Sequence, residues 1–147
     1  MTLKIEEQNY RFVKESNAIE GITSEPTKQE LAEFARFMDL KAITVQELEC
    51  FVYVYQPNAR LRDDYGLNVR VGGYYPPRGA PEIRTKLEEL LRSPDHDAYW
   101  MHITYEKLHP FTDGNGRSGR ALWAWMHRDL SLGFLHAFYY QTLQRSR

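Results

Sequence analysis

Apolar residues recur along this chain at helical spacing, with one long interruption. Between Lys4 and about Ile19 they fall at Ile5, Phe12, Val13 and Ile19, a loose helical stripe that Gly21 should end. Two T-x-x-E sequences follow, Thr27 to Glu30 and Thr44 to Glu47. Each predicts a helix start, because hydroxyl and carboxylate can satisfy first-turn N–H groups reciprocally. The first of these helices puts Leu31, Phe34, Ala35 and Met38 on one face. The second runs through Leu48, Phe51, Val52 and Tyr55 until Pro57 stops it.

The interruption runs from Leu61 to Gly79, where Gly66, Gly72, Gly73, Pro76 and Pro77 surround the short alternation Asn68-Val69-Arg70-Val71. That pattern predicts a small hairpin or flap. Helical spacing resumes from Pro81 through Ile83, Leu87, Leu90 and Leu91 and stops at Ser93-Pro94. It restarts after Asp97, a good N-cap, with Trp100, Ile103, Tyr105 and Leu108. Pro110 should end that helix near His109, since the residue before a proline is disfavoured in helical geometry.

Composition narrows the classes. A chain of 147 residues, 42% hydrophobic, is enough for one domain with a real core, so a single domain over 1–147 is expected. Its 19 basic and 20 acidic residues leave a net charge of -1, which argues against nucleic acid or an anionic membrane as partner. No apolar run approaches the roughly 18 residues of a membrane span, so the expectation is a soluble, cytoplasmic protein. The single cysteine, Cys50, excludes an internal disulfide and, among Leu48, Phe51 and Val52, reads as a core residue.

The chemistry is concentrated in HPFTDGNGRSGR, His109 to Arg120. The helical stretch ALWAWMHR follows, so Gly114-Asn115-Gly116 opens a helix. Unpaired N–H groups and the positive end of the helix dipole there favour anions, and the glycines admit a phosphate close to the backbone. Arg117 and Arg120, three apart, share a face near that opening and can hold oxyanions. Asp113 offers a hard oxygen suited to Mg²⁺, which usually binds through one or two carboxylates plus substrate phosphates. His109 can accept a proton near neutrality. His96, His102, His127 and His136 lack metal-site spacing and read as ordinary residues.

Each piece alone is commonplace; the combination is not. The run resembles the signature of the Fic family, H-P-F-x-[DE]-G-N-G-R-x-x-R, with every specified position matched, and HITYEKLHPF resembles the helix leading into it. The resemblance implies an all-α, Fic-type helical bundle with a small β-hairpin flap at about 61–79, which agrees with the element order. It also implies a protein adenylylyltransferase, transferring AMP from ATP to a hydroxyl side chain (Tyr, Thr or Ser) of a target protein. In that scheme His109 deprotonates the hydroxyl, and Asp113 holds Mg²⁺ on the α- and β-phosphates. Gly114, Asn115 and Gly116 line the α-phosphate site, Arg117 binds the β-phosphate, Arg120 meets the γ-phosphate, and Phe111 anchors the loop in the core. The far wall around adenine, towards Tyr139 and Tyr140, is left unassigned.

A second motif lies at the N-terminus, in about residues 1–22. Ser16-Asn17-Ala18-Ile19-Glu20-Gly21 is similar to [S/T]-x-x-x-E-[G/N], the inhibitory motif of self-restrained Fic proteins. The resemblance implies that Glu20 pairs with Arg120 while Ser16 fixes the helix and Gly21 ends it. Read as an ordinary helix end, the same residues are a glycine stop and a solvated glutamate. The edge Asn68, Val69, Arg70, Val71 is the expected docking strand for a protein target; as an ordinary hairpin it would face solvent. Self-modification and a homo-oligomer stay open, as do two alternative functions: a protein de-adenylylase using the same site, and a catalytically silent nucleotide-binding module.

Overall fold

Capping residues set where the helices begin. In the computed structural model, which describes residues 4–93, 97–128, 130 and 135, Thr27 accepts the Glu30 N–H at 3.1 Å and Glu30 accepts the Thr27 N–H at 2.8 Å. That complete capping box starts α2 (Lys28–Met38). Thr44 does half as much for α3 (Val45–Tyr55), because the Glu47 carboxylate goes instead to Arg36 of α2 at 2.6 Å. Asp97 caps α5 (Ala98–Leu108) through the Trp100 N–H. The other helices among the described residues are α1 (Ile5–Ile19), α4 (Glu82–Arg92) and α6 (Asn115–His127).

The chain is an all-α bundle built around α6. Helices α1, α2, α3 and α5 pack on α6, and α4 packs on α3 and α5. Between Asn115 and Ala124 every residue of α6 except Gly116 is buried. Gly119 permits the closest approach: a Cβ there would stand 3.2 Å from the Tyr105 ring. Stacked or tilted aromatic pairs, Phe12 with Phe34, Phe37 with Phe51 and Phe51 with Tyr55, join α1, α2 and α3. Such pairs add roughly 0.5–1.5 kcal/mol each beyond the area they bury.

Three readings of the pattern are corrected. Cys50 is exposed, not core. Its sequence neighbours mislead because it lies two residues from both Leu48 and Val52, about 200° round the helix from each. On α5 the buried residues are Met101, His102, Tyr105 and Leu108, so the apolar stripe is turned away from Trp100, which is 38% exposed. Ile5, on the expected stripe of α1, is also exposed.

The hairpin flap does not form as a strand pair. Among the described residues of 61–79 the local pairing is an isolated antiparallel bridge between Val71 and Tyr74, closed by hydrogen bonds of 2.9 Å in both directions around Gly72-Gly73. Pro76 and Pro77 have no N–H with which to extend a ladder. Across the fold, Asn68 is turned to the Gly79 N–H at 2.9 Å. Pro94, His96, His136, Tyr139 and Tyr140 lie outside the described residues.

Candidate active site

Helix α5 ends at His109, whose N–H still reaches the Tyr105 carbonyl at 2.9 Å while its backbone turns left-handed, φ 50° and ψ 61°. Few non-glycine residues adopt this conformation, and those that do tend to sit at functional sites. Beyond it the chain runs antiparallel to residues 60–62: Arg62 N–H meets the Pro110 carbonyl and Thr112 N–H meets the Arg60 carbonyl, both at 2.8 Å. Phe111, bridged to Leu61, is fully buried and anchors the loop as expected.

The start of α6 is locked from inside. Gly114, at φ +78°, makes the turn into the helix. The Asn115 amide binds both main-chain groups of Phe111, at 2.8 and 2.9 Å, which ties the loop to the first turn of α6. Ser118 donates back to the carbonyl of Gly114 at 2.8 Å and meets the Tyr105 hydroxyl at 2.7 Å. Burial pushes the Tyr105 hydroxyl well up, so it stays a donor. Gly116 is open for a different reason: a Cβ there would overlap Oε1 of Glu20. A carboxylate therefore already stands over the helix N-terminus, the position an anion would take.

Both arginines are buried and both face α1. Arg120 donates to Ser16 Oγ at 2.7 Å, to the Ser16 carbonyl at 2.9 Å and to Glu20 Oε1 at 2.9 Å. Arg117 reaches Asn17 Oδ1 at 3.3 Å, lies over the Tyr55 ring and stands 3.7 Å from Glu30 Oε2. Among the described residues its Nε and Asn17 Nδ2 are buried without a hydrogen-bond partner. Gly21, at φ +78°, ends α1 as expected, with Ile22 N–H on Asn17 O and Gly21 N–H on Ala18 O. These two hydrogen bonds fix Glu20 at the helix end.

His109 is half-buried. Burial first, and then the positive charge of Arg62, pull its pKa below the ordinary value, against the Glu106 backbone and the charges of Asp113 and Glu20. The neutral imidazole that accepts a proton is therefore the resting form at pH 7. Asp113 is exposed and accepts the Gly114 N–H at 2.7 Å. Among the described residues no three His, Cys, Asp or Glu converge on a metal site. A divalent ion here would rest on Asp113 and on phosphate oxygens, which suits Mg²⁺.

The chain thus brings together His109, Asp113, the α6 opening, Arg117, Arg120, Ser16 and Glu20. The docking segment is joined less directly. Val71 spends its N–H and carbonyl on Tyr74, so a docking edge has at most Asn68, Val69 and Arg70 to offer. Sequence reasoning missed Arg62, Asn17, Glu30 and the Tyr105–Ser118 pair. The T-x-x-E box held the one clue to Glu30, and nothing in the pattern marks Arg62. Among the described residues no helix is long and apolar enough to cross a membrane.

Neither the curated proteins nor the solved structures contain a match to this chain. The family model described as Fic/DOC family matches residues 35–127. That span begins inside α2 and takes in the whole of the His109–Arg120 loop and helix start, while α1 precedes it. It covers more than half of the sequence and encloses the start of α6 with its adjoining histidine, and the chain belongs to the Fic/DOC family.

Proposed function

We propose that this chain is a protein adenylylyltransferase that transfers AMP from ATP to a Tyr, Thr or Ser hydroxyl of a protein target, restrained by Glu20. Its family is known for AMPylation-type transfer and for acting on proteins. The observation that carries the reading is the pairing of a half-buried His109, its pKa lowered by burial, with an α6 opening flanked by two buried arginines. Burying two guanidiniums is unfavourable unless anions meet them, and among the described residues Arg117 Nε is a buried donor with no hydrogen-bond partner.

In this reading His109 takes the hydroxyl proton as the oxygen attacks the α-phosphorus. The bond from the α-phosphorus to the bridging oxygen breaks, and pyrophosphate leaves. The N–H groups at Gly114 to Gly116 cradle the α-phosphate, Arg117 takes the β-phosphate and Arg120 the γ-phosphate. Asp113 would hold Mg²⁺, which would neutralise charge on the phosphates when bound. Positioning and electrostatics provide most of the rate. Glu20 restrains the site because Arg120 cannot serve the carboxylate and a γ-phosphate together.

The test is incubation of lysate with the purified protein, labelled ATP and Mg²⁺, followed by mass spectrometry of labelled proteins. Label that depends on His109 supports transfer. ATP binding without label, in the wild type and after removal of Glu20, would leave a nucleotide-binding module. One observation keeps the reverse reaction beside it: the Glu20 carboxylate stands at the helix opening, where it can orient a water as well as exclude a phosphate. Loss of AMP from modified protein, dependent on Glu20, would favour de-adenylylation. Self-modification and assembly into a homo-oligomer are read from the same experiment by label on the chain itself and by its size in solution.

A further inference from the structure

Arg62 is wholly buried, and among the described residues its guanidinium hydrogen-bonds only to main-chain carbonyls. Nε meets His109 O at 2.7 Å and Nη2 meets Leu108 O at 2.8 Å. Nη1 meets Pro77 O at 2.7 Å and Leu67 O at 3.3 Å. A buried cation facing no carboxylate is an expensive way to tie loops together. A planar fork of five donors, however, can hold four carbonyls in one rigid arrangement, which a flexible ammonium cannot do.

The four carbonyls belong to two places. Leu108 and His109 form the C-terminal end of α5, where unpaired carbonyls and the negative end of the dipole welcome a cation. Leu67 and Pro77 form the base of the segment that returns through the Val71–Tyr74 bridge. The tip of that segment is tied to the same helix end, because the Tyr74 hydroxyl donates to Lys107 O at 2.9 Å. His109 itself needs holding, since a left-handed non-glycine residue is disfavoured by roughly 1–2 kcal/mol and a following proline disfavours helical geometry further.

We propose that Arg62 is a positioning residue for His109, locking the base and the 67–77 segment onto one fork so that a target hydroxyl laid along that segment meets the imidazole. The inference rests on the adenylylation reading for its kinetic consequence and on the structure alone for its geometry. ATP is bound elsewhere, by the start of α6, which Asn115, Ser118 and Tyr105 fix independently of Arg62. The charged groups that bear on the imidazole are Arg62, Asp113 and Glu20, with the Glu106 backbone. Removing the cation therefore also removes a force that keeps His109 neutral.

The test compares Arg62→Lys and Arg62→Met in a Glu20→Gly chain, with NMR titration of the His109 imidazole in the same full-length proteins. Arg62→Met should lower kcat for target modification by roughly 10–100-fold, the scale of a misplacement near 1 Å. KM for ATP should stay within about twofold, since ground-state binding is untouched. The His109 titration should move up in Arg62→Met. Arg62→Lys should keep the titration near that of its parent but recover only part of kcat. If Arg62→Met does not fold, the lysine variant decides: a kcat equal to that of the Glu20→Gly parent together with an unaltered His109 resonance overturns the proposal. Equal titration curves in parent and methionine variant overturn it too. Should the parent chain label no protein, adenylylation fails while the titration still reads Arg62's hold on His109.

Discussion

Arg120 Nη2 meets Glu20 Oε1 at 2.9 Å across an unequal boundary, with the Arg120 side chain fully buried and that of Glu20 42% exposed. Ser16 holds the same guanidinium through its hydroxyl and its carbonyl. The cation is fixed and the carboxylate is replaceable. In the proposed restraint, displacing Glu20 by a phosphate would exchange one anion for another, so the block would be shallow enough to be relieved. Glu20→Gly should therefore raise AMP incorporation by roughly tenfold or more if the competent state is a few per cent populated. His109→Ala in the same chain should abolish the gain. Labelled-AMP transfer by the three proteins at equal concentration, with circular dichroism to confirm folding, checks this. No gain from Glu20→Gly would sink the restraint, and a loss would favour the reverse reaction.

His109 should set the acid limb of the reaction. Its pKa is pulled below the ordinary value by burial and by Arg62, so the base form persists as pH falls through the range where a free histidine would protonate. The rate of a Glu20→Gly chain should stay flat through neutrality and fall only below the ordinary histidine pKa of about 6.5. His109→Ala should remove that limb and lower the rate roughly 10²- to 10⁴-fold. A limb centred above the ordinary value would contradict the assignment of His109 as a desolvated base.

Asp113 is exposed, so Asp113→Ala should shift folding by little, within about 0.5 kcal/mol. If Asp113 holds the ion as proposed, turnover and Mg²⁺-dependent ATP binding should fall together. Titrating Mg²⁺ at fixed ATP separates the cases. An unchanged Mg²⁺ dependence would remove Asp113 from the metal.

The site was legible in the sequence where local geometry suffices. Whereas Arg117 and Arg120 find their partners on α1, 100 or more residues away in sequence, Gly114 and Phe111 are placed within one loop and the first turn of α6. Helix starts at Thr27, Thr44 and Asp97 were readable for the same reason. Arg62 was not, since its meaning depends on carbonyls up to 47 residues away. Nor was the failure of the flap to form a ladder, because the Val69-Arg70-Val71 alternation says nothing of the partner strand that Pro76 and Pro77 deny it. Cys50 and Trp100 show a third limit. Apolar neighbours in sequence identify a helix, but which way its stripe faces is settled by packing against other helices.

Glu30 joins the start of α2 to Arg117 of α6 with two oxygens that have different tasks. Oε1 accepts the Thr27 N–H and completes the cap, while Oε2 stands 3.7 Å from Arg117. Glu30→Gln keeps an oxygen for the cap, since glutamine serves a capping box as well as glutamate does. It removes only the charge facing a guanidinium that is 4% exposed. A buried cation deprived of its counter-charge destabilises by roughly 3–5 kcal/mol when contact is close. At this distance, with Asn17 and the Tyr55 ring remaining, the loss should be smaller, about 1–2 kcal/mol on the scale of a charged hydrogen bond. ATP should then compete with less opposition for Arg117, and its β-phosphate should replace the missing charge. In a Glu20→Gly chain, Glu30→Gln should thus melt at a lower temperature without nucleotide yet gain more from Mg²⁺-ATP than its parent, because a ligand stabilises in proportion to its affinity for the folded state. Thermal melts of both chains over a range of ATP concentrations provide the measurement. A lower melting temperature with an unchanged or smaller ATP-induced rise would mean that Arg117 is held for the fold and does not receive a phosphate.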